Sequence, residues 1–108
     1  MKKVYLFCNA GMSTSLVAND MQKVADEYNL PMEIKAFNDS SMSEVVKKEN
    51  PDVILLGPQV KYKLADTKKT YEPKISVGLI NAEDYGKVDG ERILKYSIKL
   101  IQDREKES

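Results

Sequence analysis

Apolar and polar positions along the chain alternate between two spacings. Residues 3–8, Lys-Val-Tyr-Leu-Phe-Cys, are almost continuously apolar and rich in strand formers. Asn9-Ala10-Gly11 closes that run with turn residues. Behind it Val17, Met21, Val24 and Tyr28 recur at i, i+4, i+7 and i+11, the spacing of one helix face. Asn19, Asp20, Gln22, Lys23, Asp26 and Glu27 fall largely on the other side. Ser13, Thr14 and Ser15 stand where an N-cap belongs, and Asn29 with Pro31 predicts the helix end.

The alternation then repeats. Residues 32–37 read as a second strand. Residues 38–43 supply turn and cap side chains to a short helix carrying Met42, Val45 and Val46, stopped by Asn50-Pro51. Val53-Ile54-Leu55-Leu56 is the strongest strand pattern in the chain, and Gly57-Pro58 breaks it. A weaker helix with Val60, Leu64 and Tyr71 on one side ends at Pro73. Residues 74–80 form a fourth strand, interrupted by Ser76 and Gly78. Asp89 caps a last helix carrying Ile93, Leu94, Ile98 and Ile101. The tail 102–108 is polar throughout and is expected to fray. Four strand–helix units in strict alternation predict one α/β domain over residues 1–108, built on a parallel sheet. Continuous apolar strands fit a sheet covered by helices on both faces. Ligands of such sheets bind at the carboxyl ends of the strands. The candidate positions are therefore residues 8–15, 38–41, 57–60 and 81–86.

Composition narrows the chemistry. Lys+Arg and Asp+Glu are 17 each among 108 residues, so the basic surplus that nucleic-acid phosphates call for is missing and no nucleic-acid partner is expected. There is no His, which removes the commonest general base and metal ligand. A single Cys allows neither an internal disulfide nor a zinc cluster. No metal and no cofactor are expected. Met1-Lys2-Lys3 imitates the start of a secretion signal, but the apolar run behind it, Val4 to Cys8, is short. A signal needs about 7–15 apolar residues and a spanning helix about 20, so no membrane insertion is expected. The free thiol points to the cytoplasm.

Residues 8–15, Cys-Asn-Ala-Gly-Met-Ser-Thr-Ser, then carry the chemistry. A thiol ends a strand, and a loop of small and hydroxyl residues runs into a helix. The first turn of a helix leaves N–H groups unpaired and favours anions. Gly11 lets the backbone approach a ligand closely, and Ser13, Thr14 and Ser15 add hydroxyls. A tetrahedral oxyanion fits such a loop, with the sulfur at its rim. A helix start favours an anion by up to about 2 kcal/mol, which favours the thiolate, the nucleophilic form of a cysteine. The plain alternatives are a buried Cys8 packed as a small hydrophobe and Thr14 or Ser15 as an ordinary helix cap. A Walker loop would need Gly-Lys-Ser/Thr after Gly11, where Leu16 and Val17 stand, and a dinucleotide fingerprint would need further glycines. The low-molecular-weight tyrosine phosphatases compare more closely. Cys8 and Ser15 fit their pattern, but Thr14 occupies the place of the arginine that clamps the phosphoryl oxygens. Without that arginine hydrolysis should be slow, and a loop that keeps a phosphocysteine is a carrier.

The segment 6–16, together with Leu55-Leu56-Gly57-Pro58-Gln59-Val60 and Tyr85-Gly86-Lys87-Val88-Asp89-Gly90, closely resembles the IIB components of the bacterial sugar phosphotransferase system, lactose/cellobiose (chitobiose) branch. The resemblance runs over about residues 2–101. It implies a four-stranded parallel sheet of order 2-1-3-4 with helices on both faces. It implies that Cys8 accepts a phosphoryl group from a phosphohistidine on the IIA protein and passes it to a sugar held by the membrane IIC transporter. The loop Asn9, Ala10, Gly11, Met12, Ser13, Thr14 and Ser15 would then cradle the phosphate. Gln59 is an accessory candidate, either a donor to the phosphate or a partner contact, with a solvated loop amide as the equal alternative. Tyr85 is a second accessory candidate. Asp84 could repel water or orient a partner, and a plain turn is the simpler expectation there. Met12 either docks a partner or packs beneath the loop. Lys61, Lys63, Lys68, Lys69 and Lys74 either steer an acidic partner or form a solvated helix face, the plainer reading. A carrier that meets two partners in turn would work as a monomer. The rival functions are a phosphatase, a regulator that only binds proteins, and a thiol-redox protein, which lacks its second Cys.

Overall fold

Successive side chains of a strand point to opposite faces of its sheet, and here both sets are apolar. In the computed structural model, which describes residues 1–9 and 11–107, four strands form one parallel sheet. They are β1 (Lys2–Cys8), β2 (Met32–Asn38), β3 (Val53–Leu56) and β4 (Ser76–Leu79), in the order β2-β1-β3-β4. The helices are α1 (Gly11–Glu27), α2 (Met42–Glu49), α3 (Leu64–Tyr71), α4 (Ala82–Gly86) and α5 (Gly90–Glu107). Val4, Leu6, Val53 and Leu55 bury against Val17 and Met21 of α1 and Ile93 and Leu94 of α5. Tyr5, Phe7, Ile54 and Leu56 bury against Met42 of α2, with Val45, Val46, Leu64 and Tyr71 closing the rim. The expected fold and strand order stand. Among the described residues no helix is long and apolar enough to cross a membrane.

Several local expectations need correction. The hydroxyl run does not cap α1, because the helix already starts at Gly11. Ser13, Thr14 and Ser15 therefore lie within its first turns. Tyr28 lies beyond the helix end and is 62% exposed, its hydroxyl donating to Glu91 at 3.4 Å. The third helical segment is two pieces, a 3-10 turn over Pro58–Lys63 and then α3. The fourth strand is shorter than expected, and its two odd residues have packing reasons. Ser76 Oγ donates to the Leu100 carbonyl at 3.2 Å. A Cβ on Gly78 would meet Leu100 Cδ1 at 2.7 Å, so Gly78 lets α5 lie close on β4. The polar tail does not fray at residue 102. The helix runs on to Glu107, held by Arg104 Nη1 donating to the carbonyls of Asp52 (2.8 Å) and Lys74 (3.2 Å).

Edge and foot of the sheet are closed by side chains. The outward N–H groups of edge strand β4 donate to the Glu72 carboxylate (Val77, 3.3 Å) and the Tyr96 hydroxyl (Leu79, 3.3 Å), which protects the edge from pairing. At the opposite end from Cys8, the fully buried Tyr5 donates its hydroxyl to Glu33 and Glu49. Burial and these two carboxylates push the phenol far above its usual range.

Gly90 sets the distance between α1 and α5. Its N–H donates to Asp20 Oδ2 at 2.8 Å. A Cβ there would lie 2.7 Å from both the Asp20 carbonyl carbon and the Met21 amide nitrogen, and backbone atoms cannot swing aside. Overpacking of this kind costs about 1–3 kcal/mol. Gly90→Ala is expected to lower the urea midpoint accordingly. An unchanged midpoint would mean that the two helices part without cost.

Candidate functional site

β1 ends on Cys8 and α1 opens at Gly11, so only Asn9, in a bend, and Ala10 separate strand from helix. Ala10 lies outside the described residues. First-turn amides of a helix, here Gly11, Met12 and Ser13, have no partner inside the helix. That turn also carries no acidic side chain to neutralise it. An anion beside the end of β1 is therefore favoured.

The sheet order brings a second loop to the same spot. β3 pairs with β1 through Phe7 and Leu56, which sets Gly57 beside Cys8. The Gly57 N–H donates to the Phe7 carbonyl at 3.0 Å. Two residues on, the 3-10 turn brings Gln59 over the sulfur. Cys8 Sγ donates to Gln59 Oε1 at 3.2 Å and faces Asn9 Oδ1 at 3.9 Å. The sulfur does not stand on a rim, as the loop pattern suggested. Cys8 is fully enclosed, with the exposed Gln59 in contact with it.

A third segment closes the site from below. The Asn81 side chain accepts from the N–H groups of Glu83 (2.9 Å) and Asp84 (3.1 Å), which starts α4 and turns Tyr85 inward. The Tyr85 hydroxyl lies 3.0 Å from Thr14 Oγ1, and the Cys8 and Ser13 side chains reach it as well. Burial raises its pKa most, the Thr14 hydrogen bond works against that, and neighbouring Cys8 adds to the rise. Tyr85 is thus protonated at neutral pH and able to donate. Thr14 is itself buried, so the position of a phosphatase arginine is filled by a short hydroxyl tied to a tyrosine.

The loop residues named from sequence therefore divide. Cys8, Thr14, Tyr85 and Gln59 come together. Asn9, Ser13 and Ser15 are exposed around them. Met12 is 82% exposed, with Leu16 one helical turn further on also exposed, so Met12 does not pack beneath the loop. Asp84 is neither a lone turn residue nor a free charge, since Arg92 Nε donates to its Oδ1 at 2.9 Å. Lys63 is paired with Asp39, while Lys61, Lys68, Lys69 and Lys74 are exposed to solvent. Gly57 was legible as a strand breaker and as the start of the candidate segment 57–60, not as a neighbour of the sulfur. Its role against the sulfur follows from the β1–β3 register, which the strand order determines. Among the described residues no three His, Cys, Asp or Glu side chains gather as a metal site would need. An open hollow of about 700 Å³ lies next to the site, lined by Pro58, Lys61, Asn81, Asp84, Arg92 and Tyr96 among others, and Cys8 does not line it.

Comparison with known proteins accords with this geometry. Residues 3–96 match the family model described as "PTS system, Lactose/Cellobiose specific IIB subunit". The chain is 36% identical to the galactose-specific EIIB component of Lactococcus lactis subsp. cremoris, over 93% of this chain and 96% of that one. It is 35% identical to the cellobiose-specific EIIB component of Lactococcus lactis subsp. lactis, with the same coverage. The solution structure of a cellobiose-specific IIB component from Borrelia burgdorferi superposes with a TM-score of 0.76 at 34% identity, covering 95% of this chain and 94% of that one. A thiol-bearing strand end, a helix opening beside it and similarity over nearly the whole length agree: the chain belongs to the lactose/cellobiose-specific IIB subunits of the sugar phosphotransferase system, and is a phosphotransferase component.

Proposed function

We propose that Cys8 is the phosphoryl carrier of this component. The thiolate attacks phosphorus of a phosphohistidine on a IIA protein. The P–N bond breaks as the S–P bond forms, and the proton lost by the thiol ends on the released imidazole. In the second half a sugar hydroxyl, held by a IIC transporter, attacks the same phosphorus. The S–P bond breaks and the hydroxyl proton returns to sulfur. The sugar is of the cellobiose, chitobiose or lactose type. Both encounters take place in the cytoplasm or at the inner face of the membrane, with the carrier a monomer.

The observation that carries this reading is the company of the sulfur. It sits next to an acid-free helix start, among neutral groups that can donate, the Tyr85 hydroxyl and the Gln59 amide. Preorganised donors around a phosphoryl group favour both its arrival and its retention. The amides of Gly11, Met12 and Ser13, which no helix carbonyl uses, form the cradle with Asn9 beside them, and exposed Met12 meets the partners. Retention, not hydrolysis, is favoured by Thr14 in the place of an arginine.

Intact mass spectrometry tests the reading. Incubation with phosphoenolpyruvate, the general phosphotransferase proteins and a IIA partner should add one phosphoryl group, mapped to Cys8. An aryl phosphate should give no steady turnover. A phosphoryl group on another residue, or sustained aryl-phosphate hydrolysis by the wild type, would overturn the carrier reading.

A further inference from the structure

Two side-chain amides turn their oxygens to the sulfur. Gln59 Oε1 is 3.2 Å away and Asn9 Oδ1 3.9 Å. They arrive from separate segments, Asn9 from the bend after β1 and Gln59 from the 3-10 turn after β3. A thiol can donate to such an oxygen. A thiolate has only lone pairs to offer and is repelled by it, as are the oxygens of a thiophosphate. The resting arrangement therefore matches protonated sulfur and opposes both charged forms that a carrier must pass through.

An amide resolves this within its own group. A half-turn about its terminal bond exchanges the carbonyl for an NH₂ donor at nearly the same place. Gln59 has room for that turn because it is exposed. Asn9 carries the same kind of amide but stands farther from the sulfur, at 3.9 Å, and the hydroxyls nearby donate or accept by simple rotation. Tyr85 on α4 is the titratable one and is held protonated by burial, and Thr14 and Ser13 of α1 bring neutral hydroxyls to it.

We propose that Gln59 is a positioning residue whose amide reverses with the charge on Cys8, accepting from the thiol at rest and donating through Nε2 to the thiolate and then to the thiophosphate. The proton leaves Sγ for water when the thiol ionises alone, and for the released imidazole during transfer. The thiophosphate half rests on the carrier reading of Cys8; the thiol–thiolate half does not.

Alkylation of the full chain by iodoacetamide, followed by intact mass across a pH series, reads the sulfur alone because Cys8 is the sole cysteine. In the reaction an S–C bond forms and iodide leaves. Gln59→Leu keeps the bulk and loses both ends of the amide. Gln59→Glu keeps an oxygen and, once ionised, cannot donate. A hydrogen bond to a charged group is worth about tenfold or more. Gln59→Leu should thus alkylate roughly tenfold more slowly at neutral pH, with the inflection of its pH profile moved upward, and Gln59→Glu more slowly still. If Gln59 only covers the sulfur, Gln59→Leu leaves the inflection where it is and at most changes the plateau, and that result overturns the proposal. Circular dichroism checks that both variants fold. Phosphorylation by IIA is scored separately: a moved inflection in a protein that accepts no phosphoryl group would sink the carrier reading and leave the amide reversal standing, and the converse pair of results would do the opposite.

Discussion

Cys8→Ser is expected to fold normally and to lose phosphoryl acceptance by on the order of 10³-fold or more. The fold should survive because the change is small and local. The serine oxygen takes the place of a fully enclosed sulfur and can still donate to Gln59 Oε1, so the stability change should stay within about 1 kcal/mol. The chemistry should not survive. A thiol gives up its proton far more readily than an alcohol and is the better nucleophile, whereas a serine needs a base to remove its proton. The chain contains no His to serve as one. The side chains in contact with the site, Gln59, Asn9, Thr14 and Tyr85, are amides and hydroxyls. Intact mass after incubation with phosphorylated IIA should show no increment, and cells that depend on this component should stop taking up its sugar. A variant phosphorylated at the wild-type rate would move the nucleophile to another residue. Matching urea midpoints for variant and wild type would exclude misfolding as the cause.

What could be read from the sequence was local, and what escaped it came from distance. Val53–Leu56 is bounded by Pro51 and Gly57 and buried on both faces, so composition and punctuation together outline it. Asn50 ends α2 in the left-handed conformation, φ 48°, as a terminal Asn before Pro suggests. By contrast α4 has five residues and one buried side chain, Tyr85, too little for any period to register. The end of α5 looks like a solvated tail until Arg104 is placed against the carbonyls of Asp52 and Lys74, residues joined to it only through the fold. The hydroxyl run 13–15 looks uniform in sequence. A helix turns about 100° per residue, which separates it into buried Thr14 and exposed Ser13 and Ser15. The Thr14–Tyr85 contact spans 71 positions and had no local signal. The Cys8–Gln59 contact had an indirect one, since order 2-1-3-4 makes the ends of β1 and β3 neighbours.

That neighbourhood makes Gly57 the second position with a large expected effect. Its backbone, φ −67° and ψ 155°, is open to any L residue, so Gly57→Ala strains no dihedral. It would even reduce the freedom of the unfolded chain, a gain of about 0.4–1 kcal/mol. The obstacle is the sulfur. An added Cβ would lie 2.5 Å from Cys8 Sγ and 2.9 Å from Cys8 Cβ, and Cys8, enclosed on every side, has no open space to enter. Overpacking at about 1–3 kcal/mol outweighs the backbone gain, so the net change is a loss of stability. Function should suffer more than stability does. Misplacing a reacting group by about 1 Å can cost on the order of 10²-fold in rate, and the sulfur must either shift along β1 or push Gln59 outward. Gly57→Ala should therefore stay folded, with a lowered urea midpoint, and accept phosphoryl groups about 10²-fold more slowly. Gly86→Ala is the matched control, because a Cβ there meets nothing within 4 Å; it should keep the wild-type transfer rate and, with only the backbone gain acting, should not lower the urea midpoint. Wild-type transfer by Gly57→Ala would show that Cys8 tolerates displacement, and with it that the close contact between the β1 and β3 ends is incidental to the chemistry.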